Sequence, residues 1–296
     1  MIFSPAGTNR RINRRRLFRD IGAGLLLLLF LAGCGLPTMS GLVEGLNRQT
    51  DLELVCDGSS SYLLLLDSLL AEKPADPTLL LNTTKAYIAY GMAMPECGRP
   101  ERSAVLSEKV RIYGLRLLRE VSGIRQNDTI DALREKLHAG DKGDVGALFW
   151  GAYGWATWIG YQQGAPAAVI DLPKIEMIMR RVVELDETFY NGGAHLFLGV
   201  YYTLKPASYG GDPDASRCHF EKALAISGGR FLPIQVAFAN TYAKMVFDRE
   251  LYEKLLEEVL AFDIAKIAQD CPNCLGTRGF TSRIACRYIT HSENFL

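Results

Sequence analysis

Three cysteines and a histidine crowd the end of the chain as Cys271-x2-Cys274-x11-Cys286-x4-His291, the ligand count of a tetrahedral zinc site. In an exported chain a disulfide outranks zinc for such residues. A tail that packs against nothing outranks both, because "KIAQDCPNCLGTRGFTSRIACRYITHSENFL" has no helical periodicity. No metal or other cofactor is therefore expected. Nucleophilic catalysis has little footing: His138, His195, His219 and His291 are scattered, and no G-x-S-x-G elbow occurs. "SYGGDPDAS" (208–216) lacks the lysine of a phosphate loop and the ligand count of a calcium loop. Asp212 with Pro213 after it reads instead as a helix N-cap and first helical residue. The chain is read as no enzyme. The residues with most to offer a ligand are aromatic. "VGALFWGAYGWATWIGYQQGAPAAVI" (145–170) has no charged residue and holds all three tryptophans, Trp150, Trp155 and Trp158, in a chain that is 22% charged. It is a membrane span, a core helix or the wall of a cavity.

The elements that would position these residues follow a leader. Six arginines precede the apolar run "IGAGLLLLLF", which is too short to cross a bilayer and ends in "LAGC" (31–34). That tetrapeptide resembles the bacterial lipobox, so Cys34 is expected to be diacylated after residues 1–33 are removed. "RRRLF" resembles a twin-arginine signal as well, and both export routes stay open. Gly35, in place of aspartate, points to the outer membrane. Without the leader's six arginines and one acid, 27 basic and 32 acidic residues remain, a net charge of −5. No basic stripe suits a nucleic acid. Residues 34–50 read as a tether, 51–265 as the folded domain, and 266–296 as the atypical tail.

Within 51–265 the signals are helical. "SSSYLLLLDSLLAEKP" opens on serines and stops at Pro74, and Asp76-Pro77 opens a second helix. Further helices are predicted near 130–138, 145–163, 172–186, 193–205, 213–227, 231–246 and 248–263, after an amphipathic one that starts near Arg99. They fall into pairs with tetratricopeptide spacing. Leu198-Gly199 and Tyr202 precede Phe220 and Ala223; Trp150, Tyr153-Gly154 and Thr157 precede "MRRVVELDETF"; Phe238-Ala239 and Tyr242 precede Leu255, with a fourth pair near Thr83–Tyr87. Cys56, near the start of the first helix, and Cys97, after the second, would be neighbours in an antiparallel pair and are expected to form a disulfide.

Five blocks carry a family resemblance: "DLELVCDGSSSYLLLLDSLL", "GALFWGAYGWATWIG", "IEMIMRRVVELDETFYNGGAHLFLGVYY", "GGDPDASRCHFEKALAIS" and "FDRELYEKLLEEVLAFD". In this order they resemble the TatT family of tetratricopeptide-like lipoproteins associated with TRAP transporters. The resemblance covers 51–265. It implies an all-α helical-repeat array, a homotrimer, a hydrophobic cavity or pore in each protomer, and a periplasmic solute-binding protein as partner. It also implies a small organic or apolar cargo.

The repeat template then assigns the groove. Leu148, Gly151, Trp155, Trp158 and Ile159 take the concave positions of one helix, and Gly193, Leu196, Val200, Thr203 and Leu204 those of the next. Trp150 and Tyr153 would face the neighbouring helix. An apolar groove of this kind suits a hydrophobic solute. The competing function is an envelope adaptor for a protein or peptide, which would want a groove of Lys, Arg and Asn. A helical enzyme is a third.

Overall fold

Asp51 opens the first helix by accepting hydrogen bonds from the Glu53 and Leu54 amides at 3.0 and 3.2 Å, which satisfies amides that have no partner inside a helix. The computed structural model describes residues 51–204 and 211–262, and all the regular structure among them is helical. The leader, Cys34, the tether and the Cys271, Cys274, Cys286, His291 set lie outside the described residues. The helices are α1 (Leu52–Glu72), α2 (Pro77–Ala93), α3 (Glu101–Ser122), α4 (Ile130–Ala139), α5 (Val145–Gly160), the single turn α6 (Pro166–Val169), α7 (Leu172–Asp186), α8 (Phe189–Thr203), α9 (Pro213–Ser227), α10 (Pro233–Phe238) and α11 (Arg249–Leu260). A π-helical turn, Ala239–Ala243, continues α10.

The caps are those that the sequence announces. Asp76 accepts from the Leu79 amide ahead of Pro77, and Asp212 from the Ala215 amide ahead of Pro213. Gly123 and Gly228 end α3 and α9 in the left-handed conformation that lacks a steric cost only for glycine. One start differs from expectation. α1 begins at Leu52, before the serines, which lie inside it. Ser60 and Ser68 donate to the carbonyls of Asp57 and Leu64, so their hydroxyls are satisfied along the helix and do not cap it.

Helices pack on their neighbours in sequence. α2 lies against α3, α3 against α5, α5 against α7, α7 against α8, α8 against α9, and α10 against α11. The three pairs for which repeat spacing names both helices, α5–α7, α8–α9 and α10–α11, are in contact. α1 packs on α2 and is fastened by two further links. Its Asp67 accepts from the Tyr87 and Tyr113 hydroxyls at 2.8 and 2.7 Å and pairs with Lys109. Burial raises the Asp67 pKa, but the Lys109, Tyr113 and Tyr87 hydrogen bonds outweigh it and hold the carboxyl below its usual range. Nearer its N-terminal end, Cys56 is bonded to Cys97, with Cα atoms 5.7 Å apart.

Two crossings are set by glycine. A methyl on Gly151 would lie 2.5 Å from Leu118 Cγ and 2.9 Å from the Gly114 carbonyl oxygen, so α3 and α5 touch backbone to backbone. On Gly199 it would meet the Phe220 ring at 2.9 Å, which is the α8–α9 approach that the repeat spacing implies. Gly154 departs from that template. Its nearest neighbours are Val110 of α3 and Thr84 of α2, not the partner helix α7. Gly151→Ala is expected to lower stability by about 1–3 kcal/mol through overpacking. A urea midpoint equal to that of the wild type would show that α3 and α5 separate freely.

Candidate functional site

The groove positions assigned by the repeat template do not share one open face. Leu148, Gly151, Trp155 and Ile159 are buried on one stripe of α5, with Gly151 against α3. Trp155 is 0% exposed, and its indole N–H has no acceptor among the described residues. Trp158 is half-buried at the rim. Its indole N–H donates to Glu108 at 2.6 Å, and the Arg111 guanidinium lies 4.5 Å above its ring. On α8, Leu196 and Val200 pack on the core around Phe220, Phe231 and Phe238, Gly193 lies against the Phe149 ring, and Leu204 is 55% exposed. The Thr203 hydroxyl donates to the Val200 carbonyl.

The opposite side of α5 carries what the template missed. Residues four apart on a helix share a face, and Phe149 and Tyr153 stack at 5.9 Å between ring centroids. Tyr153 meets Phe197 at 6.5 Å, and Phe197 meets Tyr201 at 6.5 Å, again four residues on along α8. Trp150 meets Tyr190 at 4.7 Å, and Tyr190 meets Phe231 at 5.3 Å. The rings form one continuous wall between α5 and α8. Phe149, Trp150 and Phe231 are buried in its base, Tyr153, Phe189, Phe197 and Tyr201 are half-buried, and Tyr190 is 38% exposed.

A strained backbone holds the centre of this wall. Tyr190 (φ 49°, ψ 48°), Asn191 (φ 57°, ψ 36°) and Gly192 (φ 77°, ψ 28°) are consecutive left-handed residues at the start of α8. Glycine takes this conformation freely and asparagine tolerates it, but for tyrosine it costs about 1–3 kcal/mol. The turn places the Tyr190 ring against Trp150, Phe149 and Phe231 at once. Strain at a side chain that bridges three others is the pattern of a site whose geometry matters more than its local stability.

Lys85 of α2 reaches the same place, with its ammonium 5.3 Å from the centre of the Trp150 ring. Burial lowers its pKa. The signal for it is in the sequence, since Lys85 is the one charged residue of "PTLLLNTTKAYIAYGMA".

At its far end the wall turns polar. Tyr202 stacks on His219 and donates to Glu176 at 2.7 Å, and Glu176 also pairs with Arg180. Burial raises the Glu176 pKa, but hydrogen bonds from Tyr202, Arg180 and Tyr201 hold it below the usual range. His195 and His219 face each other with Nδ1 atoms 2.8 Å apart. Burial first, then the charges of His195 and Arg180, push His219 down to about 4. An unfolded histidine titrates near 6.5, so the unfolded chain binds this proton and the folded one refuses it between those values. The His219 contribution is therefore full above about pH 6.5 and is expected to fall by on the order of 2 kcal/mol as pH drops to 4. Urea unfolding at pH 7 and pH 4 tests this, and His219→Gln should flatten the difference. An unchanged slope would place the loss elsewhere.

The wall offers π faces, apolar area and one ammonium, while the charges of Glu176 and Arg180 already satisfy each other. The family model of the TRAP transporter T-component, TAtT, matches residues 48–273, and the chain belongs to that family. It is thus a component of TRAP transport, a system of the bacterial envelope. A search of curated proteins finds no match.

Proposed function

We propose that the chain is a periplasm-facing lipoprotein, without enzymatic activity, that takes a small apolar or organic solute on its aromatic wall and exchanges it with the solute-binding protein of a TRAP transporter. The observation that carries this is the wall itself, from Phe149 to Tyr201, with Tyr190 held in place against backbone strain. Leu148, Gly151, Trp155 and Ile159 form its packed back, Gly193, Leu196 and Val200 support it from α8, and Trp158, Thr203 and Leu204 lie at its margins. Succession of packed helix pairs supports a tetratricopeptide-like array. In this reading the array assembles as a trimer, and acyl chains on Cys34 hold it to the outer membrane once residues 1–33 are gone. The Cys56–Cys97 bond supports export, since such bonds persist in an oxidising compartment. The adaptor alternative would want a groove of Lys, Arg and Asn, and this wall presents rings.

The test is uptake of the neutral fluorophore N-phenyl-1-naphthylamine. Phe197→Ala combined with Tyr190→Ala is expected to weaken it at least about tenfold, as each ring removed deletes apolar contact. Unchanged uptake in a folded double variant would remove the wall from the function.

A further inference from the structure

We propose that the outward face shared by α1 and α3 lies on the surface of a lipid bilayer, which holds the stack in one orientation with its ring wall turned away from the lipid. This rests on the anchor reading above, in which Cys34 carries the acyl chains, and adds a second contact with the same membrane.

The face is what remains when the packed sides of the two helices are taken away. α1 buries Leu63, Leu66 and Leu70 and leaves Leu65 exposed and Leu64 67% exposed. Between Asp57 and Glu72, every exposed residue of α1 is uncharged. By length and composition the stretch Glu53–Glu72 could cross a membrane, yet only 28% of its most apolar window is buried in the protein. With its inner side committed to α2, α1 can lie on a bilayer but not span one. α3 extends the face. Asp67 of α1 pairs with Lys109, and Val105 and Ile112, one turn to either side of Lys109, are both exposed, Val105 to 73%. Gly114, which touches α5, is on the other side of α3. The ring wall is on the far side of α5, so a membrane against Val105 and Ile112 leaves the wall facing away from it.

The middle of the face selects its occupant. The Lys109 side chain is 48% exposed although it is paired. Arg116, one turn beyond Ile112, donates to the Pro74 carbonyl and has no carboxylate partner among the described residues. A protein partner would strip water from both cations, at a cost that one surface ion pair does not repay. At a bilayer the same side chains lay their stems on the acyl boundary and keep their charges among headgroup phosphates. The acids on the outer side of α1, Glu53, Asp57 and Glu72, stand at its two ends. Distance agrees. Asp51 follows Cys34 by 17 residues, a reach of at most about 60 Å, so the anchor and the face meet one bilayer. A tethered chain presents the face to lipid at high effective concentration, and a modest apolar area then suffices.

The test places the acylated chain in vesicles of phosphatidylethanolamine and phosphatidylglycerol and reads tryptophan fluorescence when the lipid acyl chains carry bromine, a contact quencher. Leu65→Trp is expected to lose its added fluorescence in the brominated vesicles, and Leu260→Trp, at an exposed position on α11, to keep it. Adding Val105→Glu and Ile112→Glu to Leu65→Trp should restore the signal while the chain still floats with the vesicles on its acyl chains. Both positions are exposed, so thermal unfolding should be unchanged. A floating Leu65→Trp chain that stays bright, or one that stays quenched with both glutamates in place, overturns the bilayer face and leaves the anchor reading intact. Glutamates that lower the sedimenting mass of the chain in detergent also overturn it, and assign the face to a second copy. A wild type that does not float with vesicles overturns the anchor and the face together.

Discussion

Trp155→Ala is expected to lower stability by about 3–5 kcal/mol, the range for truncating a large side chain packed in a core. Trp158→Ala, three residues further on, is expected to cost about 1 kcal/mol or less. The contrast follows from position. Trp155 is 0% exposed and lies on the α5 stripe whose Gly151 touches α3, so its deletion leaves a void that the close crossing cannot collapse into. Trp158 gives up a hydrogen bond to Glu108 and a face for Arg111, both at the rim and both replaceable by water. One observation adds a second readout. The Trp155 indole N–H is buried without an acceptor among the described residues, a state that a bound water or a ligand's polar group would relieve. Urea unfolding of the two variants, with and without the neutral probe, separates the roles. A small loss for Trp155→Ala together with lost probe binding would mean that Trp155 lines a cavity. A large loss with the probe still bound by the folded fraction would make it core.

The helices are more legible in the sequence than which face of α5 each neighbour covers. Capping residues act through their own backbone, so Asp76-Pro77 and Asp212-Pro213 placed two helix starts to the residue. Spacing of small and large residues likewise anticipated which helices pair, because Gly199 can be filled only by something as large as Phe220 across the crossing. The face of α5 is a different matter. A repeat template assumes that the concave side of each first helix is open. Here α3 packs against α5 at Gly114 and Gly151 and covers the stripe that holds Trp155, which turns the opposite side, with Phe149 and Tyr153, toward α8. That exchange depends on a glycine in α3, 37 residues before Gly151, and no local period in α5 encodes it. Tyr190 was hidden for another reason. Its ring meets Trp150, Phe149 and Phe231, all distant in sequence or on another helix, and a tyrosine beside Asn191 and Gly192 reads in isolation as an ordinary turn.

Removing the Cys56–Cys97 bond is expected to cost about 3–4 kcal/mol, because the bond joins residues 41 apart and restricts the unfolded chain accordingly. The location of the loss can be stated as well. α1 presents Leu54, Leu64 and Leu65 to solvent and buries Leu63, Leu66 and Leu70 on its other side, so one face alone holds it to the stack. The Asp67 cluster fastens its C-terminal half through Tyr87, Tyr113 and Lys109. The disulfide fastens its N-terminal half, where Glu53, Leu54, Asp57 and Gly58 are all exposed. Reduction should therefore free the segment around Cys56 before it disturbs the rest, and a protease should cut there in the Cys56→Ser variant while α3, α5 and α8 stay protected. The exposed Cys218 supplies the control, since Cys218→Ser removes a thiol without a crosslink and should leave the midpoint unchanged. Equal midpoints for the oxidised and reduced wild type would show that the stack alone holds α1. Loss of protection across the whole chain on reduction would show instead that α1 and the stack unfold as one unit.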